Sequence, residues 1–292
     1  MSDFPNETIF KTYVTRGLPV MVTPDLAWLG GCTDGRGSPL RDHSKPPPPE
    51  SELRHGHCVA YVILGSEKTI MVDTGHFGLW YTLDGQLDQV LKDRPLDYIF
   101  VSHQEIPHTG NLGRLMAKYP NAIAIGDMRD YHLFHPEVEL RRLRHMEHGE
   151  GVDLGDRKYL CLDAIWKDLS GTMYGYDTKL KFLFTADCFE FGHMAVPDTC
   201  GKMLHEMSDE DIEKITDLAS AGPIFGGAAR DQKARVEAYR NLEKQYPVEI
   251  IASGHYGPLM GKALNPAREK TLAAIVEKPR GFNLNNVDMR RF

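Results

Sequence analysis

The sequence of 292 residues suits one large globular domain or two small ones. Hydrophobic residues make up 41% of it and charged residues 26%, and 41 acidic against 34 basic side chains leave a formal net charge of −7. This acidic balance argues against a protein that binds nucleic acids or anionic membranes, because both need basic surfaces. No apolar run approaches the ~20 residues of a membrane span, and the N-terminus lacks the pattern of a signal peptide.

The numbers and positions of the cysteines and histidines indicate which kinds of site the protein can have. The five cysteines have no C-x-x-C motif among them: Cys32, Cys58, Cys161, Cys188 and Cys200. Their odd number and wide spacing predict neither a disulfide framework nor a thiolate zinc site, and a reducing cytoplasm is the expected location. The 13 histidines, several of them beside carboxylates, are the more informative feature.

The predicted elements alternate between strands and helices after a Gly- and Pro-rich stretch at 30–52, which is expected to be a long exposed loop. The predicted strands cover residues 58–64, 69–72, 98–101, 122–125, 159–166, 172–176, 181–185 and 248–252. The predicted helices cover residues 86–93, 112–118, 128–148, 208–218, 228–246 and 265–277. This order favours an α/β (α+β) fold in which two sheets pack face to face with helices outside. We expect a single domain over 1–292, with a C-terminal helical tail at 262–292.

Metal-binding residue types follow several predicted strands at the point where each strand ends. The densest group contains His103, Glu105 and His108, whose imidazole and carboxylate donors suit a divalent metal ion. Asp73 and Gly75 follow the first predicted hairpin, and their spacing predicts a tight turn, which is either a plain turn or one whose carboxylate organises neighbouring ligands. A metal site in this region is therefore the main prediction.

Three later positions repeat the pattern. Asp187 ends a strongly apolar strand, where a buried carboxylate requires a cation or several hydrogen-bond donors. Asp168, between two predicted strands, either caps a turn or binds metal. His255 follows the last predicted strand. Because rigid strand ends aim side chains into a common mouth, these residues are expected to share one site with the first group.

Four further histidines have roles that the sequence leaves open. His55 and His57 precede the first hairpin strand and either line the mouth of the site or lie in an exposed loop. His76 follows the Asp73 turn, and His193 follows Asp187 in a position where it could support a ligand.

In this order the motifs resemble those of the metallo-β-lactamase superfamily. Its H-x-H-x-D-H motif corresponds to the segment from His103 to His108, and the glutamate at position 105 resembles the β-lactamase-like domain of flavodiiron proteins. The resemblance covers about residues 55–260 and implies a four-layer αβ/βα sandwich. Two positions depart from the pattern, because Asp168 stands where the family has histidine and Pro107 where it has aspartate.

The resemblance implies a dinuclear site. It assigns four ligands to the first metal: His103, Glu105, Asp168 and the bridging Asp187. It assigns three to the second: His108, Asp187 and His255. Oxygen-rich ligation without thiolates favours two divalent iron ions, with manganese or zinc as the other candidates.

The function that the resemblance implies is redox chemistry at this site with dioxygen or a related small molecule. No bound flavin is expected, since no phosphate-binding glycine loop follows His255, so electrons would come from a separate donor, a small reductant or the substrate. Two other functions stay open: a metal-dependent hydrolase of an ester, lactone, amide or phosphoester, and a non-catalytic diiron sensor. The loss of the motif aspartate at Pro107 weakens the hydrolase hypothesis more. The expected partner is a small molecule, with no nucleic acid and no membrane, and homo-oligomerisation stays open.

Overall fold

The computed structural model describes residues 13–14, 17–33, 54–194, 200–216 and 231–277, with backbone only at a few positions next to the gaps. The predicted loop at 30–52 is wrong at its start, because a strand that begins at Leu26 continues to Thr33. Pairing with the following strand extends it, since Thr33 lies opposite Gly56. The rest of the predicted loop and residues 278–292 of the predicted tail lie outside the described residues. The single-domain organisation stays a prediction.

The first sheet contains nine of the described strands. They are β1 (Tyr13–Val14), β2 (Val20–Thr23), β3 (Leu26–Thr33), β4 (Arg54–Leu64), β5 (Thr69–Val72), β6 (Tyr98–Val101), β7 (Ile123–Gly126), β8 (Leu143–His145) and β13 (His193–Met194). Their order is β1-β3-β4-β5-β6-β7-β8, with β2 paired to β3 and β13 paired to β4. Strands β5 to β8 are parallel neighbours, so the carboxyl ends of β5 and β6 lie on the same edge.

The second sheet contains the other six described strands. They are β9 (Gly151–Asp153), β10 (Lys158–Asp163), β11 (Met173–Asp177), β12 (Phe182–Phe184), β14 (Ile250–Ser253) and β15 (Tyr256–Leu259). Their order is β15-β14-β12-β11-β10-β9. Strands β12 and β14 are parallel, which places their carboxyl ends side by side.

The described helices lie mainly between and after these strands. They are α1 (Trp80–Leu91), α2 (Ile106–Thr109), α3 (Leu112–Lys118), α4 (Tyr131–Phe134), α5 (Asp209–Thr216), α6 (Gln232–Gln245) and α7 (Leu264–Glu277). Short 3-10 turns cover Phe77–Leu79, Leu140–Arg142, Leu204–Glu206 and Gly261–Ala263. None of the described helices is long and apolar enough to cross a lipid bilayer.

The predicted helix at 128–148 is wrong. Only α4 and one 3-10 turn are helical there, and residues 143–145 form strand β8 instead. Pro136 explains the early end, because a proline disfavours helical backbone at the residue before it. Pairing of β8 with the edge of β7 then outweighs the apolar spacing that suggested a helix.

Three clusters of buried apolar side chains separate four layers. Trp28 and Phe100 from the first sheet and Phe184 from the second lie in the cluster between the sheets. Leu83 of α1 and Leu112 of α3 pack on the outer face of the first sheet, and α5, α6 and α7 cover the outer face of the second. The predicted αβ/βα sandwich is confirmed, and the parallel pairs of both sheets aim their carboxyl ends at one region.

Candidate metal centre

The six residues predicted as ligands meet at this edge of the sandwich. Each of the side chains outside the first motif approaches an imidazole of that motif or the Asp187 carboxylate. The residues come from the ends of β6, β12 and β14, from α2 and from the turn before β11, and they are His103, Glu105, His108, Asp168, Asp187 and His255. None of the predicted site residues lies elsewhere in the fold.

Asp73 is the anchor of the buried side of this site. It follows β5 with a backbone φ of 56°, a left-handed conformation that costs energy for a residue other than glycine. Its carboxylate is fully buried and accepts hydrogen bonds from the backbone N–H of Ser102 at 2.8 Å and the Ser102 hydroxyl at 3.0 Å. Asp73 thereby fixes Ser102, the residue next to His103, and its role in organising metal ligands stays a prediction.

All three imidazoles are held through Nδ1, which leaves Nε2 available. His108 Nδ1 lies 2.6 Å from Asp73 Oδ2, and His103 Nδ1 lies 3.1 Å from the Ser102 hydroxyl. His255 Nδ1 lies 2.9 Å from the backbone carbonyl of His57. A ring that donates Nδ1–H to an oxygen presents the lone pair of Nε2, which is how metal-binding histidines are oriented.

The three Nε2 atoms converge on the Asp187 carboxylate. Oδ1 of Asp187 lies 3.0 Å from His108 Nε2 and 3.2 Å from His255 Nε2. Oδ2 of Asp187 lies 3.7 Å from His103 Nε2. The two oxygens of one carboxylate therefore face different imidazoles.

Three atoms at the centre of the site are buried without a hydrogen bond in the described part of the chain. They are Nε2 of His103, Nε2 of His108 and Oδ1 of Asp187. The latter two lie 3.0 Å apart, at the distance of an ion pair. A buried polar atom without a partner is costly, and a cation between these atoms would satisfy all three. The donor set therefore fits a metal ion.

Two carboxylates complete the His103 side. Asp168 Oδ2 lies 3.2 Å from His103 Nε2, and Glu105 Oε2 lies 3.9 Å from the same atom. Oδ1 of Asp168 accepts hydrogen bonds from Leu169 N and the Thr172 hydroxyl. Asp168 thus caps a turn with one oxygen and faces the site with the other, so the two sequence hypotheses for it are compatible.

Local backbone strain shapes the turn that carries Asp187. Ala186 and Phe189 have φ values of 51° and 64°, a left-handed conformation that side chains disfavour. Such strain is retained where the surrounding structure enforces it, often at functional sites. Gly254 lets the His108 ring approach closely, because a Cβ at position 254 would lie 2.4 Å from His108 Cε1.

The electrostatics of the site favour positive charge at the imidazoles. Burial lowers the pKa of His108, but the Asp187 and Asp73 carboxylates outweigh it and raise that pKa to about 10. Burial also lowers the pKa of His255, and the Asp187 carboxylate raises it to about 10. Burial would raise the pKa of Asp187, yet these two imidazoles hold it well below its usual range. Since histidine binds metals as the neutral ring, a metal ion would take the place of these protons.

Sequence reasoning missed Glu190. One of its carboxylate oxygens lies within 4.8 Å of ligand atoms of Asp187 and His255, a grouping that could hold a metal ion. The left-handed Phe189 turns the chain between the two acids. Glu190 could have been predicted from the sequence by two facts together. It is an acidic residue three positions after Asp187, and Pro107 stands where the motif is expected to supply a carboxylate.

The other histidines whose side chains the structure describes lie outside this centre. His57 packs with its ring against Tyr256 at a centroid distance of 5.1 Å. Nδ1 of His76 accepts a hydrogen bond from Gly78 N and caps a 3-10 turn. His55 faces two cysteines instead. The side chain of His193 lies outside the described residues.

A two-sheet αβ/βα sandwich with histidines and carboxylates at one edge defines a class of metal-binding domains. The chain belongs to the metallo-beta-lactamase superfamily, whose family model matches residues 53–255. The resemblance to this superfamily that the sequence motifs indicated is therefore confirmed.

Proteins similar in sequence to this chain include a diflavin flavoprotein and a flavorubredoxin. A protein of Synechocystis sp. assigned as diflavin flavoprotein A 2 is 28% identical over 228 residues, covering 72% of this chain and 35% of that protein. The anaerobic nitric oxide reductase flavorubredoxin of Vibrio vulnificus is 26% identical over 147 residues, covering 48% of this chain and 29% of that protein. The chain therefore spans only about a third of these curated relatives.

The fold is also found in a solved structure, that of rubredoxin oxygen:oxidoreductase from Desulfovibrio gigas. The two superpose with a TM-score of 0.68 at 17% identity, covering 87% of this chain and 60% of that chain. At this identity the likeness concerns the fold alone.

Proposed function

We propose that this chain is a dinuclear iron oxidoreductase that reduces a small diatomic oxidant, dioxygen or nitric oxide, with electrons from a separate donor. The position of Asp187 carries the proposal. Its Oδ2 faces His103 while its Oδ1 faces His108 and His255. A carboxylate that bridges two metals ~3.5–4 Å apart presents one oxygen to each in this way. The oxidoreductase and reductase names of similar proteins support redox chemistry.

Each metal in this proposal has four protein ligands. The first metal would be held by His103, Glu105, Asp168 and Asp187. The second metal would be held by His108, Asp187, His255 and Glu190. Glu190 replaces the carboxylate that Pro107 cannot supply, and the four carboxylates balance the charge of two divalent ions. Carboxylate-rich ligation without thiolates favours iron over zinc.

The protein residues around the metals have separable tasks. Asp73 orients His108 directly and His103 through Ser102. The side chain of Glu105 is 51% exposed, so this ligand lies where a small oxidant and water can reach the centre. Iron, when bound, supplies the electron transfer at coordination positions that the protein leaves open.

The test is metal analysis coupled to turnover. Protein produced without added zinc and loaded anaerobically with Fe(II) is expected to hold about two irons per chain. With a chemical reductant it should consume dioxygen or nitric oxide, each assayed alone. The absorption spectrum of the untreated protein also tests the prediction that no flavin is bound. Asp163→Ala is the control for variants of the candidate ligands, and it should keep the metal content and turnover of the natural chain. Asp163 ends β10 with an exposed side chain.

Other results would identify the other functions. Stoichiometric zinc, with hydrolysis of an ester or lactone and no consumption of either oxidant after iron loading, would overturn the proposal in favour of a hydrolase. Two irons that react with the oxidant once but do not turn over with reductant would instead indicate a sensor.

A further inference from the structure

We propose that Cys32, His55 and Cys200 bind a zinc ion at a second site, separate from the dinuclear centre. Nδ1 of His55 lies 3.3 Å from the Cys32 sulfur and 3.5 Å from the Cys200 sulfur. The three ligand atoms all lie within 4.8 Å of one another. The widely spaced cysteines predicted no thiolate zinc site, so this convergence is a product of the fold.

The two sulfur–nitrogen distances of this group match tetrahedral zinc. With Zn–S bonds of ~2.3 Å and Zn–N bonds of ~2.0 Å, a sulfur and a nitrogen on one tetrahedral zinc lie ~3.5 Å apart. The two sulfur–nitrogen distances in the protein are 3.3 and 3.5 Å. The donors are therefore already at the separations that the ion needs, and only small movements would be required.

The donor chemistry distinguishes this site from the dinuclear centre. Two thiolates and one imidazole are the soft ligands that zinc prefers, whereas the dinuclear centre consists of imidazoles and carboxylates. The two sites share no residue. Zinc and iron should therefore divide between them according to ligand type.

The three ligands of the proposed zinc site are mostly buried. Cys32 is 2% exposed and His55 is 8% exposed, while Cys200 is partly exposed. Zinc binds cysteine as the thiolate, and its positive charge would offset the cost of burying that negative charge. Cys200 is the least buried of the three ligands, and water can complete the coordination of the ion as a fourth ligand.

The three ligands come from separate segments of the first sheet and its surroundings. Cys32 lies near the end of β3 and His55 near the start of β4. Backbone pairing joins His55 to β13, and Cys200 follows that strand. A zinc ion would therefore cross-link β3, β4 and the chain after β13. Because such a site does not exist in the unfolded chain, zinc binding should stabilise the fold.

The test uses the full chain, reduced, stripped of metal, and titrated with zinc after the dinuclear centre has been filled with iron. Zinc X-ray absorption should show about two sulfur neighbours at ~2.3 Å. Zinc should also raise the melting temperature. In Cys200→Ala, bound zinc should fall from about one per chain to near zero and the thermal shift should vanish, while iron content stays unchanged. Cys161→Ala is the control, since Cys161 is a buried cysteine in the core between the sheets.

Cys200→His tests whether the loss of zinc in Cys200→Ala results from the missing ligand or from misfolding, because histidine can also bind zinc. It should retain zinc with one sulfur neighbour fewer. Zinc with only nitrogen and oxygen neighbours, equal zinc binding in Cys200→Ala, or a Cys32–Cys200 disulfide that forms as fast with zinc as without it would each overturn the proposal. Iron content in the same samples reports separately on the dinuclear centre.

Discussion

The buried and the open sides of the candidate metal centre are held in different ways. On the buried side, His103 and His108 are completely inaccessible, and Asp73 and Ser102 fix both rings. On the open side, the side chains of Glu105, Asp168 and His255 are 51%, 16% and 24% exposed. The imidazoles are thus preorganised by neighbours, whereas the exposed carboxylate can adjust when a ligand enters.

Asp187 joins the two sides, and its loss should have the largest effect. Asp187→Ala removes the carboxylate that the two metals would share and leaves the facing imidazoles without their partner. We expect loss of both metals and of oxidant consumption, measured by metal content and turnover, with far-UV circular dichroism as a check on folding. If one metal remained bound with unchanged affinity, Asp187 would not bridge.

Asp73→Asn tests the buried side alone. The amide keeps its size but is a poorer acceptor for the His108 ring and for Ser102. Changes to groups that orient metal ligands typically cost ~10–100-fold in metal affinity, and that is the expected loss here. Competition with a chelator measures it. Ser102→Ala should cost less, because it affects His103 only; an equal cost in both variants would show that Asp73 acts through Ser102 alone.

Glu190→Gln tests the open side at the second metal. We expect mild chelation to remove one of two metals faster from this variant than from the natural chain, because the second metal loses a carboxylate. Adding Pro107→Asp should slow that loss again by restoring a carboxylate next to His108. Metal released against time distinguishes the outcomes. If Glu190→Gln releases metal at the natural rate, Glu190 is not a ligand.

The smallest effect concerns an ion-pair network remote from the centre. Arg157 is 4% exposed and pairs with Asp25 and Asp156. The Arg157 guanidinium, aided by Lys179, lowers the pKa of both carboxyls, although burial opposes this. Carboxyls with lowered pKa stabilise the fold above their unfolded pKa of ~3.9, and this contribution is lost as the pH falls through their folded values.

Arg157→Met should therefore lower the melting temperature of the metal-free protein by roughly 3–6 °C at neutral pH. The difference from the natural chain should shrink as the pH falls from ~5 to ~2, because both proteins then lose the paired carboxylates. A difference that stays constant over this range would mean that Arg157 acts by packing and not by charge.

Local patterns in the sequence determined much of the fold. Strand β6 and helix α3 begin and end at the predicted residues, because hydrophobic spacing and a following proline act over a few residues. The six candidate ligands could also be proposed from the sequence, because most of them belong to short polar motifs that follow buried strands. The sandwich architecture that brings His255 near His108 was implied by the resemblance and not by spacing.

Only the tertiary structure decided the features that depend on contacts between distant segments. Strand β8 replaced a predicted helix because the edge of β7 was free to pair with it. Glu190 became a candidate ligand because a left-handed turn at Phe189 redirects the chain. Cys32 and Cys200 meet at His55 across 23 and 145 residues of sequence separation. No local pattern encodes such meetings, because they result from the packing of whole strands.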